Sequence, residues 1–167
     1  MTEAVFQFTE SISVAASPQD IWDNLADIEE WWPPSNPEHI DIEVRPRGPA
    51  VGVGTEVVFE ERIAGIKGQA AGAITTWVPG REATWEGEAV YYYFGLPFRI
   101  GEGVCWSVEE DGPASRLSAR VWAVFPKTLY GRFMEWYAIR LLNVVEHDRE
   151  HARRELEYLK RLVEGNA

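Results

Sequence analysis

Residues 17–34 read SPQDIWDNLADIEEWWPP, and this stretch decides the fold. Ser17 suits a helix N-cap, Pro18 the first helical position and Asp20 the first turn, where a carboxylate favours the helix dipole. Ile21, Trp22, Leu25 and Ile28 recur at helical spacing and form one apolar stripe. Pro33 and Pro34 stop the helix, because proline lacks the amide donor and crowds the preceding turn. Trp31 and Trp32 are therefore expected at a helix end, closing one end of an internal apolar pocket. Successive helical residues face different ways. One indole is expected to pack inward with its N–H bonded and the other to shape an entrance. A second short helical turn is predicted around Asn36–Ile40.

Outward from this stretch the periodicity changes. Before it, Val5–Val14 reads as a strand with Phe6, Phe8, Ile12 and Val14 on one face. After it, strands are predicted at Asp41–Arg45, Thr55–Ala64, Gly68–Val78, Arg81–Phe94, Phe98–Glu109 and Ser115–Phe125. Breakers rich in glycine and proline separate them, and the last four gaps are short enough for antiparallel hairpins. From Thr128 the composition is helical, with Tyr130, Met134, Tyr137, Leu141, Val145, Ala152, Leu156, Leu159 and Val163 on one stripe and Gly165 as the stop. An unbroken helix here would run about 55 Å against about 30 Å for the strands, so a kink or a broken first turn is expected near Gly131. One helix on one twisted antiparallel sheet is a two-layer α+β design.

The centre of that sheet is unusual. Ala70, Ala71, Gly72 and Ala73 are followed by Gly87 and Ala89 on the next strand and by Gly101 and Gly103 on the one after. Alanine and glycine are weak strand formers, so they either bend a curved sheet or leave space beneath the helix, and both can hold. Large aromatics surround them. Trp85, Tyr91 and Tyr93 share a strand face, Trp106 lies on the next strand, and Phe133 and Tyr137 sit early on the last helix. Together with Trp31 and Trp32 these are the expected walls of a site for a small hydrophobic molecule.

The chain has 167 residues, which is most simply one domain with a sizeable core. With 46% hydrophobic and 13% aromatic residues, disorder is excluded. No run approaches the roughly 18 apolar residues of a membrane span, and the N-terminus has no secretory pattern. A lone cysteine, Cys105, forms no internal disulfide, and a cytoplasmic location is expected. Residues 1–66 carry 13 Asp/Glu against 3 Lys/Arg, and the remainder 14 against 13. Such a balance repels nucleic acid and anionic membranes, and leaves a solvated acidic face or a docking surface for a basic protein.

The layout, and above all strand one followed by ASPQDIWDNLADIEEWW, resembles the START/Bet v 1-like (SRPBCC) superfamily and its polyketide cyclase/dehydrase branch. TTWVPGREATW and the terminal RRELEYLKRLVE also fit. The resemblance covers nearly the whole chain and rests on structural motifs. It implies a helix-grip fold: a seven-stranded curved antiparallel sheet around a long C-terminal helix, with two short helices after the first strand. It further implies a cavity for lipids, polyketides or other apolar compounds. It carries over no catalytic residue, because the superfamily shares no catalytic set.

The groups available for chemistry follow from the alternation. Glu10 and Glu61 fall on the apolar phases of their strands, and Glu102 alternates with Ile100 and Val104. A carboxylate in a pocket has a raised pKa and can move protons near neutral pH. Asp148 interrupts the apolar stripe of the last helix. Glu10, Glu61, Tyr91 and Tyr93 are the candidate catalytic residues. Arg99 or Arg120 is a conceivable partner for Glu61, although both lie on polar strand phases. The HDREH run at 147–151 places His147 and His151 at i and i+4, but the sequence offers no third ligand, so no metal and no cofactor is expected. GVGTEV at 52–57 leads into a strand and is no dinucleotide fingerprint. There is no GxSxG, CxxC or phosphate-binding loop, and Cys105 reads as a small strand residue. The leading expectation is a binder of a hydrophobic ligand. The alternatives are a cyclase, aromatase or dehydratase acting on the same ligand class, or an acidic protein-interaction module.

Overall fold

The computed structural model describes residues 6–63 and 65–165. Val5 and Ala64, placed at strand ends from the sequence, lie outside the described residues. Seven antiparallel strands form one sheet: β1 Phe6–Val14, β2 His39–Arg45, β3 Glu56–Ile63, β4 Ile66–Val78, β5 Glu82–Tyr93, β6 Leu96–Asp111 and β7 Ala114–Val124. Their spatial order is β1-β7-β6-β5-β4-β3-β2, so every neighbour except the β1–β7 pair is joined by a hairpin. The first strand closes onto the last because the short helices carry the chain across the sheet end. The predicted helix-grip architecture is the observed one.

The first helix, α1 Pro18–Leu25, begins where expected, with Ser17 Oγ accepting the Asp20 amide at 3.2 Å. It is followed by α2 Ile28–Trp31 and a 3-10 turn at Pro33–Ser35. The second short helix therefore precedes Asn36. Residues 36–39 instead form a single turn, with the His39 amide donating to the Asn36 carbonyl at 3.1 Å, and β2 starts at His39. Asn36 is held there by side-chain bonds to the Glu38 amide and the His151 carbonyl.

The C-terminal helix is interrupted, but not at Gly131. Helix α3 spans Leu129–Arg140 and α4 spans Val144–Val163. The break falls at Asn143, whose φ of 50° is left-handed, a conformation that Asn tolerates better than most residues. Gly131 answers a different need, because a Cβ there would overlap the Pro126 carbonyl. With the break, Tyr130 and Leu141 leave the predicted stripe and are exposed, while Ala152, Leu156 and Leu159 keep it and are buried. Helix α4 is tied to β1 by Lys160 Nζ on the Ser13 carbonyl and by the Ala15 amide on Glu164 Oε1.

The core between sheet and helices contains the tryptophans of the opening stretch. Both Trp31 and Trp32 are buried, 1% and 4% exposed, with ring centroids 6.2 Å apart. Both indole N–H groups are bonded, Trp31 to the Leu25 carbonyl and Trp32 to Glu155 Oε1. The expected division into an inward and an entrance indole does not occur, since Trp32 packs among Phe59, Trp85 and Trp106. The small residues also act differently from a bare floor. A Cβ on Gly68 would run into the Tyr91 ring, and one on Gly72 or Gly87 into the backbone of the neighbouring strand. Glycine here permits close strand approach and lets aromatic rings lie flat on the sheet.

Candidate functional site: a cavity with two polar clusters

Between the sheet and helices α3 and α4 lies a cavity of about 110 Å³. Its sheet wall includes Phe59, Trp85, Tyr91, Tyr93 and Ile100, and its helix wall Ala138, Val144 and Ala152. Two polar clusters interrupt this apolar lining.

The first is a chain of three side chains from three strands. Glu61 on β3 pairs in register with Gly68 on β4, and Gly68 pairs with Tyr91 on β5. The absent side chain at Gly68 lets the Tyr91 ring cross β4 and reach Glu61, with Oη donating to Glu61 Oε1 at 2.8 Å. Tyr91 Oη is also 3.2 Å from Glu102 Oε2 on β6. A phenol has one hydrogen, so it serves one carboxylate at a time. With that hydrogen on Glu61, the contact to Glu102 is a hydrogen bond only if Glu102 is protonated and donates. The electrostatics agree. Burial, reinforced by Glu61 and Asp148, holds the Glu102 carboxyl well above the usual range, and burial also raises Glu61. Burial first, then Glu102, pushes the Tyr91 phenol well up. The chain Glu102–Tyr91–Glu61 thus stores one proton between two carboxyls. Nearby, burial and then Glu61 lift Asp148 to about 7, and burial and then Asp148 lift Tyr93 to about 12.

The second cluster joins β2 to α4. His39 Nε2 and His151 Nε2 are 3.0 Å apart, and Glu155 Oε1 lies 3.3 and 3.2 Å from them respectively. Each ring's other nitrogen faces an acceptor: Nδ1 of His39 the Trp32 carbonyl at 2.9 Å, Nδ1 of His151 Glu38 Oε2 at 2.8 Å. Burial opposes charge on His151, but its bonds to Glu155 and Glu38 outweigh burial and carry its pKa well above the ordinary value. Glu155 shows the mirror image: burial opposes its charge, yet the bonds from His151 and His39 draw it down to about 2.

The other predicted residues are distributed as follows. Tyr91, Tyr93, Trp85, Trp32 and Glu61 line the cavity. Trp31 and Trp106 lie outside its lining and are packed in the core, Trp106 edge-on to both Trp31 and Trp32. Phe133 is 55% exposed on the outer side of α3, and Tyr137 is half-buried against Tyr93 outside the lining. Glu10 does keep the inward phase of β1, but it meets Arg149 and Arg153 of α4, each at 3.0 Å. Arg99 and Arg120 are exposed on the other face, Arg120 over the Trp122 ring. His147 is exposed, so the HDREH pair does not converge. Cys105 is buried. No helix among the described residues is long and apolar enough to cross a membrane.

A family model described as polyketide cyclase / dehydrase and lipid transport matches residues 5–164. The chain belongs to this family. It thereby belongs to the START/Bet v 1-like superfamily, of which a cavity for hydrophobic ligands is typical. Solved structures agree in fold. The Zhui aromatase/cyclase from a Streptomyces species superposes with a TM-score of 0.66 at 17% identity, over 95% of each chain. The di-domain aromatase/cyclase StfQ of steffimycin biosynthesis gives 0.66 at 16%, covering 95% of this chain and 50% of that one. A START superfamily protein from Mycobacterium smegmatis gives 0.61 at 15%, over 96% and 99%. No curated protein sequence matches the chain.

Within this polyketide cyclase/dehydrase family member, His39, His151 and Glu155 are the functional candidates that the sequence did not reveal as a group. Histidines 112 residues apart carry no spacing signal. Glu155 did leave one, because it follows Ala152 by three residues and precedes Leu159 by four on a buried helix face.

Proposed function

We propose that this protein binds a compact apolar molecule, aromatic or polyketide-like, that presents one hydroxyl or carbonyl group to Tyr91, Glu61 and Glu102. The observation that carries this reading is the chain in which buried Tyr91 joins buried Glu61 to half-buried Glu102, set in an otherwise mostly apolar cavity. Apolar walls supply affinity, and a few placed polar groups supply orientation. The cavity, about 110 Å³, is smaller than the roughly 300–1,000 Å³ of sites for drug-sized ligands. A compact ligand therefore fits this form. The test is fluorescence titration with 2-naphthol and with naphthalene. Saturable binding that favours 2-naphthol is expected, weakened about tenfold or more, at about 1.4 kcal/mol per tenfold, by Val104→Phe, which fills the cavity. Tyr91→Phe is expected to erase the preference for the hydroxyl. Uptake that is not saturable, or that ignores Val104→Phe, overturns the reading.

The same chain supports a second reading, cyclase or dehydratase chemistry on such a ligand. A neutral Glu102 linked through Tyr91 to Glu61 offers an acid and a base on one hydrogen-bonded path. Turnover of a poly-β-ketone mimic, lost in Glu102→Gln while binding persists, is the outcome that would select it.

A further inference from the structure

The His39–His151–Glu155 cluster has a feature that proton bookkeeping alone leaves unsatisfied. The Trp32 carbonyl only accepts, and so does an ionised Glu38 carboxylate, so each facing Nδ1 carries its hydrogen. In their neutral forms both rings then turn bare Nε2 lone pairs toward each other at 3.0 Å. Glu155 Oε1 adds a third acceptor at 3.2 and 3.3 Å, and its own donor is Trp32 Nε1 at 2.8 Å. With no hydrogen on either Nε2, three lone-pair atoms thus converge on one point. A single proton between the nitrogens satisfies one edge of this triangle and leaves at least one edge to Glu155 as a contact between acceptors.

A cation satisfies all three edges at once. Metal bonds of about 2.0–2.2 Å at tetrahedral or octahedral angles place their ligand atoms about 2.8–3.6 Å apart, which brackets all three edges here. The outward Nδ1 contacts, one to a carbonyl and one to a carboxylate, are those that orient metal-bound imidazoles and fix their tautomer. His39, His151 and Glu155 all line the cavity, so positions opposite the triangle open into it. Two imidazoles and one carboxylate with open positions suit first-row divalent ions.

We propose that His39, His151 and Glu155 bind one divalent transition ion, zinc or ferrous iron, in the wall of the cavity. The site is independent of the apolar-ligand reading, because an ion binds an empty cavity equally well. With a ligand present, an ion facing the cavity polarises a carbonyl or activates a water beside it.

The test uses the full chain, stripped with a chelator and titrated with cobalt(II) while its visible absorption is followed. One equivalent is expected to give ligand-field bands that stoichiometric zinc abolishes. Since losing even an outer-layer partner costs about 10–100-fold in affinity, His39→Ala, His151→Ala and Glu155→Gln are each expected to weaken binding at least about 100-fold. His147→Ala, the third of the three histidines, is expected to leave it unchanged. Because His39 and His151 pack against buried groups, a second readout uses the unaltered protein. Zinc is expected to move the 15N signals of Nε2 in two of its three histidines and leave the third in place. No saturable cobalt binding overturns the proposal. So does binding that survives all three ligand substitutions, or a pair of Nε2 signals indifferent to zinc, the mark of imidazoles held together by a proton alone.

Discussion

Trp32 Nε1 donates to Glu155 Oε1 over 2.8 Å, fastening the end of the second short helix to the C-terminal helix across 123 residues of chain. Its neighbour Trp31 donates only to the uncharged Leu25 carbonyl. Both indoles are almost fully buried, so replacing either by phenylalanine removes similar ring area and one hydrogen bond. The difference between them isolates the charge on the acceptor. A bond to a charged group contributes about 1.5–3 kcal/mol against about 1 kcal/mol for a neutral one. Trp32→Phe is therefore expected to destabilise more than Trp31→Phe in urea denaturation of the chelator-treated protein. The reverse order would mean that Glu155 is not ionised.

Gly68 is the position on which the polar chain in the cavity depends. Tyr91 reaches Glu61 only by crossing β4 where there is no side chain, and an added methyl would overlap its ring. Gly68→Ala is expected to cost about 1–3 kcal/mol through overpacking and to displace Tyr91 from Glu61. It should then copy the ligand preference of Tyr91→Phe while keeping the Tyr91 hydroxyl. Retention of the 2-naphthol preference in Gly68→Ala would show that Tyr91 reaches Glu61 by another path.

These positions differ in how far the sequence disclosed them. Strand alternation exposed Glu61 and Glu102, because each places a carboxylate where its neighbours two residues away are apolar, and the Tyr91 phase followed from Trp85 and Ala89. His39 was hidden by a local irregularity. The β2–β3 register shifts between His39 and Asp41, so His39 turns inward while Ile40 is 53% exposed. A strict period of two, read backwards from Asp41, fails at that bulge. The helix break was misplaced for a related reason. Glycine was the obvious weak point, yet Gly131 is required by the nearness of Pro126, and the left-handed residue is an asparagine. Likewise the small residues of β4 and β5 signalled close approach correctly. What approaches them is the protein's own aromatic rings and neighbouring strands, which only the register reveals.

Asn143 gives that break a measurable cost. Its φ of 50° is left-handed, and its side chain makes no capping bond to α4. The left-handed state costs a residue bearing a Cβ about 1–2 kcal/mol, less for asparagine and nothing for glycine. Asn143→Ala is expected to lower stability by about 1 kcal/mol, and Asn143→Gly to leave it unchanged or slightly raised, both by thermal denaturation. Equal losses in both variants would point to a side-chain contact of Asn143 rather than to its backbone.

The protonation of Glu102 sets a pH dependence whose sign can be worked out. Burial first, then the charges of Glu61 and Asp148, raise its folded pKa above the ordinary 4.5. The folded state therefore holds a proton that the unfolded chain releases near pH 4.5. The associated stability is complete below that pH and is lost as the pH rises through the folded value. Glu102→Gln removes this dependence, because its amide is always neutral and can still donate to Tyr91 Oη. Below pH 4.5 the variant and the parent are expected to have equal stability. Above it the variant gains, by at most about 1.4 kcal/mol per pH unit. Glu61 and Asp148, raised by the same burial, leave a smaller slope of the same sign in the variant. Glu38 and Glu155, held low by His151 and its neighbours, weaken both proteins alike in acid and cancel in the difference. Urea denaturation followed by tryptophan fluorescence at pH 4, 6 and 8 reads that difference directly. Parallel curves would mean that Glu102 is ionised in the fold, and the proton shared through Tyr91 would then have to lie elsewhere.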